Sequence, residues 1–405
     1  MKTKSTRLFL PLAILASTAA RISGSNLDQK SLSIARRIIQ KLSDYEQPPP
    51  SWDVLLRVLE HSFLGEERGA TLAAPAAASN TDVYRSSPQE EEARARAVQW
   101  LAHDDDVSPT SLSEESYDRE LLPRYALATL YFATGGDHWS RCSQKQQSSK
   151  LDTICESDEE RYLSPHSHGK WDGVNAKRDG QVIWLDLSGR GLTSGTFLPL
   201  ELTIFSPSLE VLWVSENEQL EGTLPSYLRE FKSLSSLSVY KTSVSGTIPE
   251  FIYTDLPKLD SIRLYKSNFS GTISTQIGGL SRLRWLWIHQ NEFSGKIPSE
   301  IGNLENLEGV TLHGNRFAPM DNLNDGNIMN GIIPNTVPES LCSLKKKNLK
   351  HLWTDCMTQD LSIGKDEKAI EEETGGKLIA KEGVQACLCC TRCFPQKNNG
   401  MLSYN

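Results

Sequence analysis

The stretch "LRWLWIHQNEFSGKIPSEIGNL", residues 283–304, decides the architecture. Leu286 and Ile288 alternate with Trp285, Trp287 and His289, the period-two pattern of a short β-strand. One face supplies the aliphatic residues a core needs. The other carries two tryptophans and a histidine, which calls for a separate explanation.

The pattern recurs along the chain. Aligned on L-x-x-L-x-L, it gives Val182-Leu185-Leu187, Leu209-Leu212-Val214 and Leu234-Leu237-Val239, then Leu259-Ile262-Leu264, Leu283-Leu286-Ile288 and Leu307-Val310-Leu312. The last members of these triplets are spaced 27, 25, 25, 24 and 24 residues apart. Asparagine stands three residues after the triplet at Asn217, Asn291 and Asn315, where Arg190, Thr242 and Ser267 replace it in the other units. A seventh unit, Leu349-Leu352-Thr354, follows an insertion, "APMDNLNDGNIMN". A period of about 20–29 residues with this consensus is the leucine-rich repeat. Each triplet forms a strand with its aliphatic residues inward, and parallel stacking buries a continuous column. The asparagine sits where the chain leaves the strand, and its amide can satisfy buried backbone groups; Ser or Thr does so only in part. The expected fold is an α/β solenoid, a horseshoe with a parallel β-sheet on its concave face, a helical N-terminal cap and a Cys-rich C-terminal cap.

Around this array the 405 residues divide by composition. Residues 1–20 place Lys2, Lys4 and Arg7 before the apolar run Leu8–Ala16 and then small residues, the layout of a signal peptide. Retention of that segment as a membrane tether is the alternative. Helical spacing in "LSIARRIIQKL" and "SWDVLLRVLEHSFL" marks 21–64 as a helical N-terminal segment. Residues 65–118, rich in Ala, Ser, Pro and charge, read as a low-complexity, disordered linker with room for one helix near 89–101. Residues 119–181 read as the cap, 182–355 as the repeats and 356–405 as the Cys-rich end. Eight cysteines in an exported chain point to disulfides among Cys142, Cys155, Cys342, Cys356, Cys387, Cys389, Cys390 and Cys393. Asn268-Phe269-Ser270 is a glycosylation sequon.

The "SGTIP" and "SGKIPSEIGNL" form of the repeat resembles the plant-type subfamily, found in receptor ectodomains and polygalacturonase-inhibiting proteins. "RYALATLYFATGGDHW" before the repeats and "LCSL", "LWTDC" and "CLCCTRC" after them look closer still to secreted leucine-rich-repeat proteins of diatom-like algae. The resemblance covers about residues 120–395 and implies recognition outside the cell. The plant cap has a Cys before its Trp and another after the Gly-Val; Lys170 and Asn175-Ala176 depart from it, which leaves Cys142–Cys155 as the alternative pairing.

Strand alternation also sorts the concave residues into columns. They collect Trp184, Trp213, Tyr240, Arg263, Tyr265, Trp285, Trp287, His289, His313 and Trp353 as ligand-binding candidates facing solvent. Arg263 with Lys241 and Lys266 suits an acidic ligand. Lateral stacking of the same rings as a packing ladder is the competing explanation. No nucleophile elbow, phosphate loop or zinc-protease motif is present, so no catalysis and no cofactor are expected. "HSH" at 166–168 and the histidines at 289, 313 and 351 lack a complete ligand set, so no metal is expected. Glu90–Glu92 and Asp104–Asp106 read as solvated acidic runs, and the net charge of −8 excludes a nucleic-acid partner. The expected partner is an extracellular glycan or secreted protein, with membrane association only through that partner or a retained leader. A hydrolase inhibitor and a structural wall protein are the alternative functions.

Overall fold

The computed structural model describes residues 27–45, 48–64, 86–105, 114–143, 155, 157–317, 337–356 and 392–395. The leader at 1–20, the insertion after Phe317, and Cys387, Cys389 and Cys390 lie outside them. The N-terminal part is helical: α1 (Gln29–Ser43), α2 (Pro50–Leu64), α3 (Pro88–His103) and α4 (Glu114–Ala133). Strands β1 (Val174–Ala176), β2 (Val182–Asp186), β3 (Val211–Trp213), β4 (Ser236–Ser238) and β5 (Ser245–Gly246) follow. After α5 (Glu250–Thr254) come β6 (Ser261–Arg263), β7 (Asn268–Gly271), β8 (Trp285–Trp287), β9 (Glu292–Gly295), β10 (Gly309–Thr311) and β11 (Arg316–Phe317). Then α6 (Glu339–Ser343), β12 (His351–Cys356) and β13 (Arg392–Pro395) complete the described chain.

One sheet runs in the order β1-β2-β3-β4-β6-β8-β10-β12-β13. All its pairs are parallel except β1 with β2, a hairpin that covers the first edge. Leu185, Leu212, Leu237, Ile262, Leu286, Val310 and Leu352 lie side by side and form a continuous buried column. A second parallel sheet, β5-β7-β9-β11, lines the flank and stacks Phe269, Phe293 and Phe317 at 6.4 Å intervals.

The asparagines work as their position implies. Asn217 accepts from the amides of Gly191 and Leu192 and donates to the carbonyls of Leu187 and Val214. Thr242 and Ser267 reach only one carbonyl, Val239, at 2.9 and 3.0 Å. At the first unit Arg190 takes the place, with its guanidinium 2.6 Å from Asp172 of the cap and 2.8 Å from the Asp172 carbonyl. The turn out of each strand needs a left-handed residue. Glu216, Lys241, Lys266 and Gln290 all hold φ between 52° and 58° at the position where other units have Gly189 and Gly314.

The N-terminal region corrects two expectations. The helix allowed near 89–101 forms as α3, and what is corrected is the linker character of this part of 65–118, since α3 packs against α4 and the first repeat. Its Ala93, Ala97, Val98, Trp100 and Leu101 are buried, so the alanines form an amphipathic face within an apparent low-complexity run. Nor are the acidic runs simply solvated. Glu90 closes a capping box with Ser87, and Asp105 is buried against Arg124, with N···O distances of 2.8 and 2.5 Å. Arg94 and Glu201 form a second fully buried ion pair. Farther out, Trp52 of α2 donates its indole N–H to the Thr203 carbonyl, and Ser51 bonds the Glu230 carboxylate. These helices therefore join the core of the first repeats. Cys142 and Cys155 form a disulfide, and Cys342 is also disulfide-bonded. No helix among the described residues is long and apolar enough to cross a membrane.

Candidate functional site

The concave face is set by strand register. Trp184, Val211, Ser236, Ser261, Trp285, Gly309 and His351 align across seven strands as a first column. Asp186, Trp213, Ser238, Arg263, Trp287, Thr311 and Trp353 form a second. A third, just beyond the strand ends, holds Tyr240, Tyr265, His289 and His313.

The columns differ physically. In the third, Tyr240 stacks on Tyr265 at 4.2 Å, Tyr265 on His289 at 4.5 Å and His289 on His313 at 4.5 Å, each pair within 18° of parallel. Tyr265 and His289 therefore have both ring faces covered by neighbours. His313 is only 5% exposed, which corrects its expected solvent-facing place. Close stacking of same-face neighbours is the reason. This column is a packing ladder along the sheet.

The tryptophans are arranged otherwise. Only Trp184, 38% exposed, lies open; Trp213, Trp285, Trp287 and Trp353 are half-buried rather than fully solvent-facing. Trp184 meets Trp213 edge-on at 4.7 Å, and Trp285 meets Trp287 edge-on at 5.8 Å. Trp285 leans over Gly309, where any Cβ would come within 2.7 Å of its ring. Between the tryptophan pairs, the Arg263 guanidinium sits 4.8 Å from the Trp287 ring centre and 5.7 Å from that of Trp213. Of the two flanking lysines, Lys241 is 3.7 Å from Glu216, which also accepts from the Tyr240 hydroxyl at 2.9 Å. Lys241 is thus offset by a carboxylate, Lys266 is exposed just beyond β6, and Arg263 is the cation set between the tryptophans. Strand alternation places two more residues in these columns that the binding candidates did not include. Gly309 makes room for Trp285, and Ser261, only 4% exposed, stands two residues before Arg263 on the same face.

Asn268 is exposed at the start of β7, so the sequon is accessible. His168 of the "HSH" segment is buried; its Nδ1 lies 2.6 Å from Glu120 and its Nε2 2.9 Å from the Gly180 carbonyl. It ties α4 to the β1–β2 hairpin.

Two part-buried groups near these elements contribute to the acid response. Burial lowers the His289 pKa to about 3, helped by the charges of His313 and Lys266. Burial opposes ionisation of Glu120, but hydrogen bonds and charge from His168, with Ser167 and Arg124, bring it down to about 2. The signs are the same. Below the ordinary histidine value of 6.5 the unfolded chain takes a proton that folded His289 refuses until about pH 3, so stability falls with pH across that window. Glu120 adds a loss only between pH 4.5 and 2. Between pH 6.5 and 4.5, about 1–2 kcal/mol should be lost after allowance for partial exposure. His289→Phe, which keeps a ring in the stack, should flatten a urea-midpoint profile between pH 6.5 and 4.5 and lessen its slope down to about pH 3, where the share of Glu120 remains.

The family model described as Leucine Rich Repeat matches residues 282–304, the unit that carries Trp285 and Trp287. The fold is a leucine-rich-repeat solenoid. Receptor-like protein 6 of Arabidopsis thaliana is 52% identical over 46 residues, 11% of this chain; the chain spans 4% of the length of that curated relative. Among solved structures, a plant ice-binding protein is 25% identical, with 48% of this chain and 55% of that one covered and a TM-score of 0.39. The ectodomain of the Arabidopsis receptor kinase HAESA, in complex with an IDA peptide hormone ligand, is 25% identical, covering 48% and 33% with a TM-score of 0.38.

Proposed function

We propose that this chain is an extracellular, non-catalytic recognition module, exported through its leader, whose concave face holds a glycan or protein ligand. The observation that carries the reading is the half-exposed tryptophan belt, Trp184 and Trp213 on one side and Trp285 and Trp287 on the other, around a cation. Large aromatic surfaces left accessible on a rigid sheet are the usual anchors of binding, and truncating one typically costs about 2 kcal/mol or more. A structural reading has its own support in the stacked Tyr240–His313 ladder, so that column is left out of the binding surface.

The test compares the exported protein with a Trp213→Ala, Trp285→Ala, Trp287→Ala variant on an array of wall polysaccharides and secreted proteins. Binding by the parent, lost at least 30-fold in a variant that still folds, is the expected result. Failure of both to bind, with a variant that melts far below the parent, would give the whole face to packing.

A further inference from the structure

We infer that β6 carries a subsite for the carboxylate or sulfate group of an acidic glycan, formed by Arg263 and the Ser261 hydroxyl between Trp213, Trp285 and Trp287. This rests on the recognition reading and names its ligand class. Two polar atoms here are buried without a hydrogen-bond partner: Ser261 Oγ and Arg263 Nε. Buried polar groups are nearly always paired, so each orphan asks for an occupant. The neighbouring hydroxyls are accounted for. Ser236 accepts from the Trp213 indole at 2.9 Å, Ser215 and Ser238 bond each other at 2.8 Å, and Thr311 meets His289 Nδ1 at 2.7 Å.

Among the described residues, no carboxylate lies within 4.0 Å of the Arg263 guanidinium. Asp260 feels its charge without pairing: burial raises that carboxyl, against the pull of Arg284 and Arg263. Residues two apart on a strand share a face, so Ser261 and Arg263 stand roughly 7 Å apart along the same side. An oxyanion placed over β6 would accept from both. The indoles around it lower the local dielectric and strengthen that contact.

The same hydrogen-bond inventory favours a sugar over an acidic peptide. A bound peptide must satisfy its own backbone N–H and C=O groups, and Ser215, Ser236, Ser238, Thr311 and His289 are already engaged within the face. A sugar chain can bind through one ring face and leave its outward hydroxyls in water. Its C–H face rests on an indole while its acid group reaches Arg263.

Titration calorimetry of the full-length protein decides the matter, with oligogalacturonate, its methyl ester, a sulfated galactan oligosaccharide and an oligoglutamate peptide as probes. An acidic sugar should bind at least tenfold more tightly than the ester, and Arg263→Gln should remove about tenfold or more of that affinity. Ser261→Ala should weaken binding several-fold and leave the melting temperature unchanged or slightly raised, since it deletes an unpaired hydroxyl. A clear fall in stability in Ser261→Ala would overturn the subsite, because the hydroxyl would then have an internal partner. Equal binding of ester and acid that still depends on Trp285 and Trp287 overturns it and leaves the recognition reading intact. Tighter binding of oligoglutamate overturns it in favour of an acidic protein, and silence from all four probes overturns it outright. The fate of the recognition reading then rests on the array.

Discussion

Arg124→Leu is expected to destabilise the N-terminal cap by about 3–5 kcal/mol, the cost of leaving one member of a buried ion pair behind. Arg124 donates to both Asp105 oxygens and to the carbonyls of Ser164 and His166 at 3.0 and 2.6 Å. Its guanidinium also lies 5.1 Å from the Trp100 ring and 4.9 Å from that of Trp171. Without it, Asp105 is a carboxylate at 1% side-chain exposure that has lost its ion pair with Arg124. Near-UV circular dichroism, which reports the Trp100–Trp171 environment, should collapse at lower urea than the parent signal. Arg124→Lys keeps the charge and loses the fork, so its cost should be intermediate. Adding Asp105→Asn to Arg124→Leu should cost less than the sum of the two single changes. Strict additivity would mean that the pair is not coupled.

Asn291→Ala should cost about 3 kcal/mol, although it deletes only a small side chain. Its amide donates to the carbonyls of Leu264 and Ile288 at 2.8 and 3.1 Å and accepts from the Phe269 amide at 3.1 Å. The Leu264 carbonyl and the Phe269 amide would be left unpaired inside the core, at roughly 1–2 kcal/mol each, while the Ile288 carbonyl keeps its bond from Asn315 at 3.0 Å. Asn291→Thr should recover part of this, because Thr242 holds the equivalent place with one carbonyl bond. Hydrogen exchange gives the local readout. The Phe269 amide should lose protection in Asn291→Ala while amides near β2 and β3 stay protected, since contacts in a solenoid are with nearest neighbours. Uniform loss along the chain would show that the repeats unfold as one unit.

The sequence carried the repeat because its physics is local and periodic. A strand of period two, an asparagine at the turn and a return every 24–27 residues leave one way to bury the aliphatic column. Register followed, so Ser261, Arg263 and the tryptophans could be assigned to one face. The helices before the repeats were harder to read. The alanines of α3 pass for low complexity until a partner surface exists, and Asp105 passes for a solvated charge until Arg124, 19 residues on, comes beside it.

On the concave face, sequence by itself determined which side chains point inward, since that needs only alternation along a strand. Which of those rings are packed and which remain available was decided only by tertiary structure. Tyr265 and His289 cover each other because successive repeats bring equivalent positions side by side. Trp285 finds room over a glycine one repeat away, and Ser261 is left without a partner beside a cation. Such outcomes depend on side-chain size and hydrogen bonding between units some 24 residues apart, which no pattern within one unit records.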